Sequence, residues 1–233
     1  MLDKTKLPKH VALICDGNRR WAKAKGLPTL QGHKKGYDRA NEIVQEAWDI
    51  GVQTITIWVF STENWDRTKV EVDYLMDLFI SATKNHLEIA FKNEARVIHL
   101  GRKDRISPSL AAKITDVEQK TAHFTKRFLA IALDYGGRDE LLRAIKKSND
   151  DGCDMSSLES ETIDKYLDTC VLPQQSPDMI IRTSGEYRLS GYLLWQCAYS
   201  ELFFVPVTFP DFTKEELRKC IEDFQTRQRR FGK

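Results

Sequence analysis

The sequence predicts an α/β fold: a single domain, residues 1–233, on a mostly parallel central sheet of about six strands flanked by helices. Three observations predict it. Short apolar runs rich in β-branched and aromatic residues recur along the chain. Most are followed by a stretch with helical spacing, the alternation that builds parallel sheets with helices on their faces. A length of 233 residues with 41 % hydrophobic residues is enough for one substantial core.

The strand-like runs are Val11–Cys15, Thr54–Phe60, Arg96–Leu100, Phe128–Leu133, Met179–Arg182 and Leu202–Val207. Between them lie "YDRANEIVQEAWDIG", "VEVDYLMDLFISATKNHLEIAFKNEA", "LAAKITDVEQKTAHFTK", "RDELLRAIKKSN" and "SETIDKYLDT", each with the spacing of a helix. The turn-rich segment 151–160 is a connector too short to mark a domain boundary. The helix that begins near residue 70 is unusually apolar. Leu75, Leu78, Phe79, Ala82, Ile89 and Ala90 form one stripe, and Met76, Ile80, Thr83 and Leu87 form a second beside it. A surface helix needs one apolar face about 100° wide, so the second stripe predicts deep burial, a dimer contact or the wall of an apolar tunnel.

Composition narrows the partners. The net charge of +2 argues for none in particular, but the first forty residues and the closing "RQRRFGK" are basic. No apolar stretch approaches the ~20 residues of a membrane span, and "MLDKTKLPKH" has no apolar signal region. The five cysteines, Cys15, Cys153, Cys170, Cys197 and Cys220, are scattered without a CxxC pair. They read as free thiols, so a cytoplasmic location is expected. The basic clusters are short and the aromatics sit in apolar runs, so no nucleic-acid partner is expected.

Parallel sheets place ligands at the carboxyl ends of their strands. Here those ends carry "DGNRRW", "STENWDR", "GRKDR", "DYGGRDE" and "TSGEYRLS". Arginines, hydroxyls and glycines suit a phosphate ligand. A carboxylate among such cations is most useful when it holds a divalent metal bridging to the phosphate. Asp16 is the expected magnesium ligand, and Gly17–Arg20 the expected diphosphate cradle. The nucleotide fingerprints GxxxxGK[ST] and GxGxxG are absent.

The blocks "HVALICDGNRRWAKAKG", "FSTENWDR", "DYGGRDEL", "DMIIRTSGEYRLSGYLLWQCAYSELFF", "TFPDF" and "RQRRFG" closely resemble those of the cis-prenyltransferases. The match is collinear over nearly the whole chain. The resemblance implies a magnesium-dependent homodimer with an apolar tunnel beside the sheet. It also implies repeated addition of isopentenyl diphosphate to an allylic diphosphate, each step leaving a cis double bond. A medium-chain product near undecaprenyl diphosphate is expected, with a shorter product as the alternative, and transient membrane-surface contact for product release.

Residue by residue, Asp16 matches the essential aspartate. Gly17, Asn18, Arg20 and Trp21 match the loop around the allylic diphosphate, and His33 a histidine contact to it. Ser61, Thr62, Glu63, Trp65 and Arg67 match the next block, whose Asn64 matches an asparagine implicated in proton removal. A neutral amide is a poor base, so a diphosphate oxygen is a better proton recipient. Arg182, Arg188, Leu189 and Ser190 match the isopentenyl diphosphate pocket. Glu201 matches a second metal carboxylate that can act across the dimer interface, and Arg230 and Gly232 match a terminal segment that reaches the partner. Taken singly, Trp21 and Trp65 read better as core residues, His33 as a helix cap, Arg182 and Arg188 as surface ion pairs and Glu201 as a surface acid; the collinear blocks reverse that weighting.

The pattern breaks at two places. The family loop usually reads D-G-N-G-R-W, whereas Arg19 replaces the second glycine here. Thr29 stands where an arginine contacting diphosphate is usual. Arg19 is therefore expected to join the substrate-binding residues and restore the missing charge. A noncatalytic subunit of the same fold is the rival reading. Retention of Asp16, Arg20, Asn64, Arg67, Arg182, Arg188 and Glu201 weighs against it.

Overall fold

The computed structural model describes residues 2–227. The chain runs β1 (His10–Ile14), α1 (Asn18–Ala24), α2 (Thr29–Ile50), β2 (Thr54–Ser61), α3 (Lys69–Asn93), β3 (Ala95–Leu100) and α4 (Pro108–Thr121). It continues through β4 (Arg127–Tyr135), α5 (Gly137–Asp150), α6 (Ser160–Asp164), β5 (Met179–Arg182), β6 (Glu201–Phe204) and α7 (Lys214–Thr226). The six strands form one sheet in the order β3-β4-β2-β1-β5-β6. Every adjacent pair is parallel.

All five residues of β1 are buried, as expected for a strand covered on both faces. Its side chains alternate between two cores. Val11 and Leu13 pack with Ile43, Ala47 and Trp48 of α2 and Leu217 and Ile221 of α7. Ala12 and Ile14 join Leu100, Tyr135, Tyr192 and Leu193 on the other face. A third cluster, with Phe60, Leu75 and Leu110, seals α3 and α4 over the ends of β2 and β4.

Local signals set the helix ends. Ser107 Oγ accepts from Leu110 N, and Pro108 follows at the first helical position of α4. Thr68 caps α3 by accepting from Glu71 N. Four elements differ from the sequence expectation. The helices expected over 110–126 and 160–169 end at Thr121 and Asp164. The second helix begins at Thr29 rather than near residue 37, because its glycine-containing first turns pack against α1. The last strand ends at Phe204 rather than Val207, just before Pro206, which has no N–H to donate to a ladder.

The topology fixes where a ligand sits. β1 has β2 on one side and β5, reached much later in the chain, on the other. Connections diverge at that point, and a crevice opens beyond the carboxyl ends of the strands.

Candidate active site

A cleft of about 840 Å³ occupies that crevice. It is lined by residues after β1 (Cys15 to Arg20, and Lys23), the 27–33 segment, the end of β2 with Asn64 and Arg67, and Arg182 and Ser190. Of the residues expected from sequence, Asp16, Gly17, Asn18, Arg19, Arg20, His33, Ser61, Asn64, Arg67, Arg182 and Ser190 line this one cleft.

Asp16 is held by its backbone and balanced at its carboxylate. Its N–H donates to Thr183 Oγ1 at 3.0 Å, and its carbonyl accepts from Thr183 Oγ1 at 2.7 Å and from Phe209 N at 2.9 Å. Gly17 then turns the chain with φ 101°. A Cβ there would come within 2.6 Å of Ser184 Oγ, so glycine is required twice over. Asp16 Oδ2 accepts from Arg182 Nη2 at 2.8 Å, and Oδ1 lies 3.3 Å from Arg20 Nη2. Arg182 is only 4 % exposed. It also donates to the Arg188 carbonyl at 2.5 Å and to Ser190 Oγ at 2.8 Å, and its buried Nε has no hydrogen-bond partner among the described residues. Glu186 accepts from Arg20 at 2.6 Å and from Arg188 at 2.5 Å, which ties Arg20 on the cleft lining to Arg188 outside it.

The opposite wall is organised by Glu71 in the first turn of α3. Its buried Oε1 accepts from His33 Nε2 at 2.9 Å and from Arg67 Nη1 at 3.0 Å, and Arg19 Nε lies 3.9 Å from Oε2. Burial lowers the His33 pKa from its ordinary imidazole value, against the opposing pull of the Glu71 carboxylate. Arg19 and Thr29 stand on the same cleft lining. Asn18 packs against Gly32 and Gly36 of α2, where a Cβ would meet Asn18 O at 2.1 Å and Asn18 Oδ1 at 2.3 Å.

Several expected residues are placed elsewhere. Trp21 Nε1 donates to Asp211 Oδ1 at 2.9 Å, and Trp65 Nε1 donates to Asp134 Oδ1 at 2.8 Å. Both indoles brace loops. Neither they nor Thr62, Glu63, Arg188 and Leu189 contribute to the cleft lining. Glu201 opens β6 opposite Met179, which in turn pairs with Val11 near the start of β1, whereas Asp16 lies beyond the far end of β1. It accepts from Arg227 Nη1 at 2.9 Å, and a single chain does not bring it to Asp16. Arg230 and Gly232 lie outside the described residues.

An apolar passage leads away from the cleft. A second cavity of about 90 Å³ shares Cys15, Asn18, His33, Trp58 and Val59 with it and runs between α2, α3 and the sheet. A third, of about 50 Å³, shares Phe79, Ala82, His86 and Ile131 with the second. It is the first stripe of α3, through Leu75, Leu78, Phe79 and Ala82, that lines these cavities; of the second stripe only Thr83 does so, while Met76 and Ile80 pack on the third core cluster and Leu87 beside Ala90 and Val117. A cation-rich cleft opening into an apolar passage fits an amphipathic anion with a hydrocarbon tail. The donor set also suits magnesium. No group of three or more His, Cys, Asp or Glu converges among the described residues. Magnesium needs no such cage, because it binds through one or two carboxylates plus substrate phosphates, and the Asp16 carboxylate stands among the arginines of the cleft.

Sequence reading did not single out Glu71, Asp134, Asp211 or Glu186. Only Glu71 carries a local signal, the Thr-x-x-Glu pattern of a helix start.

Comparison with known proteins agrees with this geometry. Residues 14–232 match the family described as "Putative undecaprenyl diphosphate synthase". The isoprenyl transferase of Aquifex aeolicus is 42% identical over 228 residues, covering 98% of this chain and 97% of the relative. The lavandulyl diphosphate synthase of Lavandula x intermedia, solved with dimethylallyl diphosphate, superposes with a TM-score of 0.94 at 31% identity, over 99% of this chain and 100% of that one. A probable undecaprenyl diphosphate synthase from Campylobacter jejuni gives 0.81 at 32% identity, over 97% and 99%. With the match running through the β1 loop, the β2 loop and the β5 segment that together wall the cleft, this chain belongs to the undecaprenyl diphosphate synthase family of cis-prenyltransferases and is a prenyl-transferring enzyme.

Proposed function

We propose that the enzyme is a magnesium-dependent synthase that adds isopentenyl diphosphate repeatedly to an allylic diphosphate, farnesyl or geranylgeranyl diphosphate. The product is a medium-chain Z-polyprenyl diphosphate such as undecaprenyl diphosphate, for use as a glycosyl carrier lipid. One observation carries this reading. Arg19, Arg20, Lys23, Arg67 and Arg182 line a cleft that contains the Asp16 carboxylate and continues into an apolar passage.

Each wall has a task. The Gly17–Arg20 loop and Arg67 hold the allylic diphosphate and stabilise the charge that builds on it as the C–O bond breaks. Arg182 and Ser190 hold isopentenyl diphosphate so that its double bond faces the allylic carbon. Asp16 would hold magnesium, which supplies neutralisation of the leaving diphosphate. Asn64 orients the group that loses its proton, and a diphosphate oxygen takes that proton up. The tail enters the passage past Trp58 and Val59.

Exposed Leu194, Trp195, Tyr199 and Leu202 around edge strand β6 support a homodimer in which Glu201 acts toward the partner's cleft. Contact with a membrane surface would carry off the product of a cytoplasmic enzyme. A shorter product is the second reading. The apolar cavities, about 90 and 50 Å³ as they stand, are no larger than sites that hold one small apolar molecule.

The test is incorporation of labelled isopentenyl diphosphate with dimethylallyl, geranyl, farnesyl or geranylgeranyl diphosphate, with an EDTA control and Asp16→Ala. Metal-dependent elongation that is lost in Asp16→Ala supports the proposal, and the product mass decides the chain length. Folded protein that elongates none of the four primers overturns it.

A further inference from the structure

One buried carboxylate has no part in these steps. Asp134 lies near the end of β4, is 0 % exposed, and adopts a left-handed backbone, φ 52°. A non-glycine residue held there is strained, and such strain concentrates at functional sites. Its Oδ1 accepts from Trp65 Nε1 at 2.8 Å. The Arg105 guanidinium, 37% exposed, grips both oxygens, with Nε to Oδ2 at 2.8 Å and Nη2 to Oδ1. The Asp134 carbonyl accepts from Arg102 N at 3.1 Å.

Trp65 belongs to the short 3₁₀ turn Thr62–Asp66, which follows β2. That turn is closed on itself: Asn64 Oδ1 accepts from Ser61 N at 3.1 Å, and Arg67 N donates to the Asn64 carbonyl at 3.2 Å. Asn64 at its centre and Arg67 just after it line the cleft, whereas Trp65 does not and packs edge-on to Phe60 at 5.1 Å. The indole therefore ties a self-contained turn to the sheet.

We propose that Asp134, braced by Arg105, is a positioning residue that sets Asn64 and Arg67 on the cleft wall by holding Trp65. A buried carboxylate can do this because its partners fix it on two sides: Arg105 neutralises it, and its remaining acceptor capacity aims at one indole N–H. The proposal rests on the prenyl-transfer reading of the cleft for its kinetic consequences, though the tether itself does not.

The test is a kinetic double-mutant cycle in the full chain, with Asp134→Ala, Trp65→Phe and the pair. Removing a hydrogen bond to a charged group predicts a fall in kcat of about 10- to 100-fold for Asp134→Ala. KM for isopentenyl diphosphate, held on the Arg182 side, stays within about threefold. Trp65→Phe gives a similar fall, and the pair falls no further than either single variant. Asp134→Asn keeps an acceptor for the indole and recovers most of the rate, which a charge requirement alone would not allow. If Asp134→Ala does not fold, Arg105→Gln at the half-exposed partner takes its place in the same cycle. Losses that multiply in the pair overturn the proposal, as does a lower melting temperature with unchanged kcat per folded molecule. Hydrogen exchange over residues 61–67 gives a readout independent of catalysis, since loss of the tether speeds it. Unchanged exchange in Asp134→Ala overturns the tether. A wild type with a protected turn but no incorporation overturns the proposed function and leaves the tether standing.

Discussion

Two glycines one helical turn apart allow a sharp contrast. Gly32 and Gly36 both face Asn18, but different parts of it. A Cβ at Gly32 would meet the Asn18 backbone oxygen at 2.1 Å, and one at Gly36 would meet the side-chain Oδ1 at 2.3 Å. In Gly32→Ala the backbone of α1 must move away from α2. Overpacking costs typically 1–3 kcal/mol, and so close a backbone contact belongs at the upper end. Exchanging glycine for alanine inside a helix returns about 1 kcal/mol. The net loss of about 2 kcal/mol lowers Tm by about 4–8 °C in a chain of this size. In Gly36→Ala the Asn18 amide rotates instead. Among the described residues it holds only a 3.5 Å bond to the Cys15 carbonyl, and its Oδ1 is buried without a partner there, so rotation costs little. Helix propensity offsets that cost, and Tm stays within about 2 °C. The amide no longer lines the cleft, however, and a displacement near 1 Å predicts a fall in kcat/KM of about 10- to 100-fold. Thermal melts and steady-state incorporation on both variants are the assays. A Gly36→Ala protein that melts as early as Gly32→Ala, or that keeps full activity, refutes the reasoning.

Other outcomes follow from the same contacts. Arg182→Met removes the donor to Asp16, Ser190 and the Arg188 carbonyl together, so kcat/KM for isopentenyl diphosphate falls about 100- to 1000-fold, or about 3–4 kcal/mol. A loss below tenfold contradicts this. Val59→Ala widens the neck shared by the cleft and the passage, which moves the product distribution toward longer chains by mass spectrometry; an unchanged distribution removes Val59 from length control. His10 is pushed from 6.5 to about 4 by burial. Between those values the unfolded chain binds a proton that the folded chain excludes, so stability declines as pH falls from about 6.5 to about 4. His10→Gln flattens that slope in denaturant titrations if the assignment is right.

Much of the fold was legible because parallel strands buried on both faces read as unbroken apolar runs. Val11 to Ile14, Thr54 to Phe60 and Met179 to Arg182 all fall in strands. The start of α2 was not legible. Gly32 and Gly36 argue against a helix by propensity, and only the close approach of α1 explains them. In the site, the strand-end rule led to Asp16, Ser61 and Arg182, which follow or close β1, β2 and β5. The supporting residues were hidden by separation. Glu71 lies 38 residues from His33, and Asp134 lies 69 residues from Trp65, with no local pattern linking either pair. For the same reason the family motif presents Trp21 and Trp65 as ligand contacts, while their N–H groups are committed to Asp211 and Asp134.

The α3 wall has a thermodynamic consequence. Of its 25 residues, six are buried: Glu71, Val72, Leu75, Ala82, Ala90 and Asn93. Such a helix is a soft partition, since few interlocked side chains resist its displacement. Each five-carbon unit withdrawn from water contributes about 4 kcal/mol, at about 0.8 kcal/mol per carbon. Under the elongation proposed above, growth does work against the helix, and chain length becomes a balance point: synthesis would end at the unit whose burial no longer exceeds the work of spreading α3. In that picture the ruler is elastic, and temperature or a bilayer competing for the tail resets its reading without any change in the residues that make the bonds.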